Sequence, residues 1–132
     1  MVADDREVHP VEVLVVDDHA PFRRALATVL EAIGSGPITE AATASDAVNA
    51  VASRAPGPLL ALVDVNLGPD SGIDVTRRLL AADPDATVAL ISTHDARDLP
   101  ADAAECGAVA FVAKSELAPD RLVDLITTAA GV

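Results

Sequence analysis

The stretch Leu60–Gly72, LALVDVNLGPDSG, decides the fold. With Leu59 before it, the run is short and apolar and ends on one carboxylate, Asp64; a loop containing Gly68, Pro69, Ser71 and Gly72 follows at once. An apolar run of this length bounded by loop residues reads as a strand buried on both faces, the mark of a parallel sheet covered by helices. A carboxylate at the carboxyl end of such a strand is aimed into the crevice where open α/β sheets bind ligands.

Upstream, Val11–Val16 (VEVLVV) is a strand of the same kind and ends in Asp17-Asp18-His19. Pro21 then stands where a first helical turn tolerates it, and Phe22, Leu26, Val29, Leu30 and Ile33 repeat at helical spacing until Gly34-Ser35-Gly36-Pro37. Ile38–Ala42 is a weak second strand. Thr43 or Ser45 caps a second helix whose inner face is Ala47, Val48, Val51 and Ala52, and Pro56-Gly57-Pro58 breaks it. Downstream of Asp64, Ser71 or Asp70 caps a third helix with Ile73, Val75, Thr76, Leu79 and Leu80 inward, and Asp83-Pro84-Asp85 turns the chain. Thr87–Ile91 is the fourth strand, ending at Ser92-Thr93-His94. A fourth helix is expected from near Pro100 to Cys106-Gly107, then a fifth strand, Val109–Val112, ending near Lys114. Pro119 opens a fifth helix with Leu122, Leu125, Ile126 and Ala129 on one face. Five strand–helix units in strict alternation predict an α/β fold with a single five-stranded parallel sheet in the order 2-1-3-4-5. Residues 1–10 read as a flexible leader and 11–130 as one domain.

Composition narrows the function. Hydrophobic residues make up 51% of the 132, with no Trp or Tyr and two Phe, so the core is aliphatic. A net charge of −12 opposes contact with nucleic-acid phosphates or anionic lipid and favours a metal or cationic partner surface. One cysteine, Cys106, excludes an internal disulfide, fits a reducing compartment and suits a small core residue. The polar N-terminus is no signal peptide. No apolar run approaches the roughly 20 residues that span a bilayer. A cytoplasmic location is expected.

The predicted strand order brings Asp17 and Asp18, Asp64, Ser92 and Thr93, and Lys114 to one rim, every strand end except that of strand 2 contributing a polar group. Clustered carboxylates need positive charge among them, and an all-oxygen set suits Mg²⁺ completed by waters and a phosphate oxygen. Lys114 is a compact point charge for a phosphoryl group. Ser92 can donate to another phosphoryl oxygen, and Asp64 can itself be the nucleophile, since a carboxylate can form an acyl phosphate.

These residues make the chain resemble a response-regulator receiver domain of two-component signalling over about residues 11–130. Asp17-Asp18 matches the family's metal-binding pair and Asp64 its phosphoacceptor. Gly72 stands eight residues after Asp64, as in the family loop. Ser92 falls at the switch hydroxyl, followed by a small residue, and Phe111, three before Lys114, falls at the switching aromatic. The wording DDH, THD and Phe111–Lys114 is similar to receivers joined to LuxR-type (NarL-type) helix-turn-helix domains. The resemblance implies a flavodoxin-like fold and metal binding by Asp17, Asp18, Asp64 and the Asn66 backbone carbonyl. It implies a histidine kinase as phosphoryl donor. Phosphorylation would draw Ser92 and then Phe111 inward, changing the face of helix 4, strand 5 and helix 5 that meets an output protein or a second copy. Asn66 and His94 are expected to border the path of attacking water and tune the phosphoryl lifetime. Two departures stand out: Ser115 replaces the Pro usual after the lysine, and Gly68 replaces the Pro usual four after the acceptor, which predicts a looser loop.

Rival readings are a receiver half cut from a LuxR-type DNA-binding regulator, a phosphate-independent scaffold and an aspartyl phosphohydrolase. This chain holds no basic helix and no expected DNA-binding domain, so nucleic-acid contact through it is not expected. A haloacid-dehalogenase-type hydrolase would carry D-x-D after its first strand, where Asp17-Asp18 are adjacent. No G-x-G-x-x-G or G-x-x-x-x-G-K-[ST] is present for a nucleotide. A phosphoacceptor that assists its own phosphorylation and dephosphorylation, rather than an enzyme on a separate substrate, is the expectation. His19 is read as local loop structure, because imidazole suits softer cations than Mg²⁺.

Overall fold

A computed structural model of the chain describes residues 11–93, 103 and 105–131. The strands β1 (Glu12–Val16), β2 (Ile38–Ala41), β3 (Leu59–Asp64), β4 (Thr87–Ser92) and β5 (Ala110–Ala113) form one sheet in the order β2-β1-β3-β4-β5. All four pairings are parallel, as the alternation of strands and helices predicts. The register sets the carboxyl ends nearly level: Val16 lies opposite Val63, Asp64 opposite Ile91 and Ser92 opposite Ala113. That levelness turns residues remote in sequence into neighbours at one rim.

All six residues of β3 are buried, because the central strand has a sheet neighbour on each side and helices above and below. Helices α1 (Ala20–Ala32) and α4 (Pro119–Ala130, the expected fifth helix) cover one face, packing Leu26, Leu30, Leu122 and Ile126 against Val13, Val15, Leu60 and Leu62. Helices α2 (Ala44–Ser53) and α3 (Gly72–Ala82) cover the other, packing Ala47, Val51, Ile73 and Leu79 against Leu14, Val16, Ala61 and Val63. Alternate strand residues therefore serve opposite layers. Thr43 Oγ1 accepts from the Asp46 N–H at 3.1 Å, and Ser71 Oγ from the Ile73 N–H at 3.2 Å, which selects Thr43 over Ser45 and Ser71 over Asp70 as caps. Pro21 lies in the first turn of α1, and Gly34 follows that helix with φ +86°.

Two expectations need correction. Ala52 is exposed and Ala44 takes its place on the inner face of α2; Ala44, Ala47 and Val51 share a stripe that Ala52, one step of about 100° past Val51, leaves. The fifth strand runs over Ala110–Ala113, one residue later than expected, and Val109 is 56% exposed. Val109 donates its N–H to the Val88 carbonyl at 2.8 Å, but its side chain lies at the start of an edge strand, where solvent reaches it. Most of the expected fourth helix lies outside the described residues; at its end Ala103 and Cys106 are buried in the α2–α3 layer. Among the described residues no helix is long and apolar enough to cross a membrane.

Candidate functional site

The first acidic residue to leave β1 is wholly enclosed. Asp17 has 0% exposure; its N–H bonds the Ala41 carbonyl on β2 at 3.0 Å, and its Oδ1 accepts the His19 N–H at 2.8 Å. His19 is thus the local loop residue expected, capping α1 through its backbone. Asp17 Oδ2 meets Lys114 Nζ at 2.7 Å as an ion pair without a directed hydrogen bond. Asp64, at the end of β3, accepts the Asn66 N–H on Oδ1 and the Lys114 ammonium on Oδ2, both at 3.0 Å. Asp18 is exposed, and one carboxylate oxygen from each of Asp17, Asp18 and Asp64 lies within 4.8 Å of the others. Oxygens facing one another across a Mg²⁺ octahedron stand roughly 4 Å apart. The three carboxylates, one of which buries an oxygen that lacks a directed donor, therefore offer the clustered all-oxygen set that suits a small hard cation.

Burial pushes the Asp64 carboxyl above its ordinary value of 3.8, and the Asp17 charge adds to this; the Asn66 N–H and Lys114 pull the other way without cancelling it. Burial alone would lower Lys114. Its ion pairs with Asp17 and Asp64, together with its hydrogen bond to Asp64, outweigh that and raise it above 10.5, so the ammonium stays charged.

The loop after β3 is tightly built. Asn66–Leu67 and Asp70–Ser71 pair antiparallel around Gly68-Pro69, with Leu67 buried. Gly68 has φ +60°, a value that proline cannot adopt, so this path excludes the residue usual there. A Cβ on Gly68 would stand 3.4 Å from Asp18 Oδ2. Gly72 is required by space: a Cβ there would fall 2.0 Å from the Asp64 carbonyl oxygen, and the Gly72 N–H bonds the Val65 carbonyl at 2.8 Å.

Ser92 ends β4 and is 3% exposed, whereas Thr93 is exposed, which favours Ser92 over its neighbour as the rim hydroxyl. Phe111 lies opposite Leu90 and is half-buried against the α2–α3 layer. Lys114 opens a short 3₁₀ turn, Lys114–Glu116, and every described peptide bond, including that before Ser115, is trans. His94 lies outside the described residues.

Three neighbours were not singled out from sequence. Phe22, expected only as part of the α1 stripe, sits with its ring centroid 4.3 Å from Lys114 Nζ. Arg23 donates Nη1 to the Asp17 carbonyl at 2.7 Å and Nε to Glu40 Oε1 at 2.9 Å. Glu40 belongs to β2, so the strand expected to bring nothing polar braces the rim through Arg23. One signal for the site was present in the sequence: Lys114 is the only lysine, beside eight arginines.

The model of the response regulator receiver domain matches residues 13–127. The chain belongs to this family. It is 35% identical over 104 residues to the transcriptional activator protein ExaE of Pseudomonas putida, covering 78% of this chain and 48% of that one. It is 30% identical over 117 residues to the response regulator UvrY of Escherichia coli O6:H1, covering 88% and 52%. The chain thus spans about half the length of these curated relatives. A LuxR-family two-component response regulator from Aurantimonas sp. SI85-9A1 superposes with a TM-score of 0.77 at 29% identity, covering 91% of this chain and 85% of that one. A response regulator from Burkholderia pseudomallei, solved with a phosphorylated aspartic acid, calcium ion and citrate, gives 0.77 at 25% identity over 92% and 69%.

Proposed function

We propose that Asp64 is the phosphoacceptor of this receiver domain and that a histidine kinase supplies the phosphoryl group with Mg²⁺ present. The observation that carries the proposal is one ammonium, Lys114, shared between the buried Asp17 and an Asp64 that opens onto an acidic cluster. An Asp64 carboxylate oxygen attacks phosphorus; the O–P bond forms as the N–P bond to the donor histidine breaks, and the imidazole leaves with the kinase. The Asn66 N–H fixes the carboxylate plane before attack. Lys114 turns from Asp64 to the oxygens of the arriving group and Ser92 donates to another, so charge developing on the phosphoryl group meets donors already in place. A Mg²⁺ held by Asp17, Asp18, Asp64 and the Asn66 carbonyl would neutralise part of that charge. Asn66 and His94 tune how fast water reverses the modification, and replacing each by Ala would change the dephosphorylation half-life.

The output is a population shift. A group of charge near −2 beside Lys114 favours the arrangement with Ser92 and Phe111 drawn inward, altering the face made by β5, α4 and the segment that joins β4 to β5, where a fourth helix is expected from the sequence; that face meets a protein partner or a second copy. The chain acts in the cytoplasm, as a phosphoacceptor rather than as an enzyme on a separate substrate. A second reading has support in the half-length matches to ExaE and UvrY: this receiver serves a LuxR-type regulator whose DNA contact lies in another domain, and a reading frame continuing past Val132 into a helix-turn-helix would bear this out. The chemistry is tested by incubating the protein with acetyl phosphate and Mg²⁺ and measuring intact mass. Wild type is expected to gain one phosphoryl group and Asp64→Asn none.

A further inference from the structure

We propose that Phe22 is a positioning residue whose ring holds the Lys114 ammonium at the acceptor carboxylate. The inference rests on the phosphoacceptor reading and adds to it a part of the machinery. Lys114 arrives at the end of β5 on a flexible four-carbon stem, and a lysine ammonium is otherwise strongly hydrated and free to swing. Among the described residues it meets Asp17 Oδ2 at 2.7 Å, Asp64 Oδ2 at 3.0 Å and the Phe22 ring centroid at 4.3 Å. Two carboxylates draw the cation towards the acidic cluster, and it lies over the electron-rich face of the Phe22 ring at cation–π distance. The side chain of Lys114 is left only 13% exposed.

The ring is itself held. Phe22 packs half-buried against the α1–α4 layer. The next residue, Arg23, ties the same turn of α1 to the Asp17 carbonyl and to Glu40. The first turn of α1 thus grips both halves of the site, the end of β1 through Arg23 and the end of β5 through Phe22. When the arriving phosphoryl group takes Lys114 from Asp64, the ammonium can pivot against the ring face without swinging into solvent. An aliphatic residue at position 22 would fill the space and supply no such face.

The single lysine makes the test clean. In the intact chain, the ε-methylene signal of Lys114 is the only one of its kind; it is expected to show the upfield displacement caused by a ring lying over it, and to lose it in Phe22→Leu. An undisplaced signal in wild type overturns the contact. Phenylalanines bearing one to five ring fluorines are then placed at position 22, weakening the ring face at nearly constant shape. Uptake from acetyl phosphate with Mg²⁺ is expected to fall stepwise, about fivefold to tenfold across the series, at unchanged melting temperature. A flat series overturns the positioning role, since mere packing would be indifferent to fluorine. If wild type takes up no phosphoryl group, the phosphoacceptor reading fails, while the lysine signal still decides whether ring and ammonium meet.

Discussion

Among the described residues, each end of the sheet holds a cation placed between two carboxylates, and the two are bound in opposite ways. At the amino end, Arg54 donates to Glu12 Oε1 at 3.1 Å, to Asp83 Oδ2 at 3.0 Å and to the carbonyls of Gly57 and Pro58 at 2.9 and 3.3 Å. Its planar fork spreads donors over four acceptors and ties the starts of β1 and β3 to the end of α3. At the carboxyl end, Lys114 meets Asp17 and Asp64 as a point charge, Asp17 Oδ2 lacks a directed hydrogen bond, and burial raises the Asp64 pKa. Arginine locks where the chain needs a clasp. In the proposed function lysine stands where the partner must be released, because a rotating ammonium would pass from carboxylate to phosphoryl group with little rearrangement.

The sharpest way to break this contrast is to remove each cation. Lys114→Met is expected to slow phosphoryl uptake from acetyl phosphate by about 10²-fold, the scale of losing one preorganised charged donor; a near wild-type rate would show the ammonium to be dispensable. Next in size is Gly72→Val, which drives a side chain into the Asp64 carbonyl. A loss of about 3 kcal/mol in urea unfolding is expected, together with slower uptake, because the obstructed backbone carries the acceptor. Arg54→Met should cost about 1–3 kcal/mol, since its carboxylate partners keep some solvent, and should leave uptake unchanged. A matching fall in uptake would mean that the two ends are coupled.

The smallest effects lie in pH dependence without metal. Asp64 has a folded pKa above 3.8, so the folded state binds this proton more tightly than the unfolded one. Its carboxylate therefore costs stability at neutral pH, and the cost fades as pH falls through the raised value. Asp64→Asn is expected to melt higher than wild type at pH 7, with the advantage shrinking towards pH 3.8. Lys114, raised above 10.5, contributes stability that is full below 10.5 and lost as pH rises through its folded value; wild type should show this alkaline loss and Lys114→Met should not. Melting curves of the three proteins across pH check both signs.

The layers and the rim were legible because each rests on a strong local signal. Val11–Val16 and Leu59–Val63 are apolar enough to admit only a buried strand, and once five units alternate, the strand order brings Asp17, Asp64 and Lys114 together. What escaped depends on three-dimensional partners. Periodicity marks Phe22 as apolar and facing inward, and is silent on a cation arriving from residue 114. Arg23 and Glu40 look like surface charges until β2 lies beside β1. Arg54 sits beside a Pro-Gly-Pro break and reads as loop, yet it becomes the clasp. Val109 and Ala52 were misplaced because a valine or alanine next to a true boundary carries the same apolar signal as the residues inside it.

The central claim, that Asp64 takes up the phosphoryl group, is tested most directly by trapping. After exposure to acetyl phosphate and Mg²⁺, borohydride reduction converts an aspartyl phosphate to homoserine, and peptide mass mapping locates it. The account predicts homoserine at position 64 and at no other aspartate, with none formed when acetyl phosphate is withheld. Homoserine at Asp17 or Asp18, or an unmodified residue 64 in a protein that has gained phosphoryl mass, would contradict it.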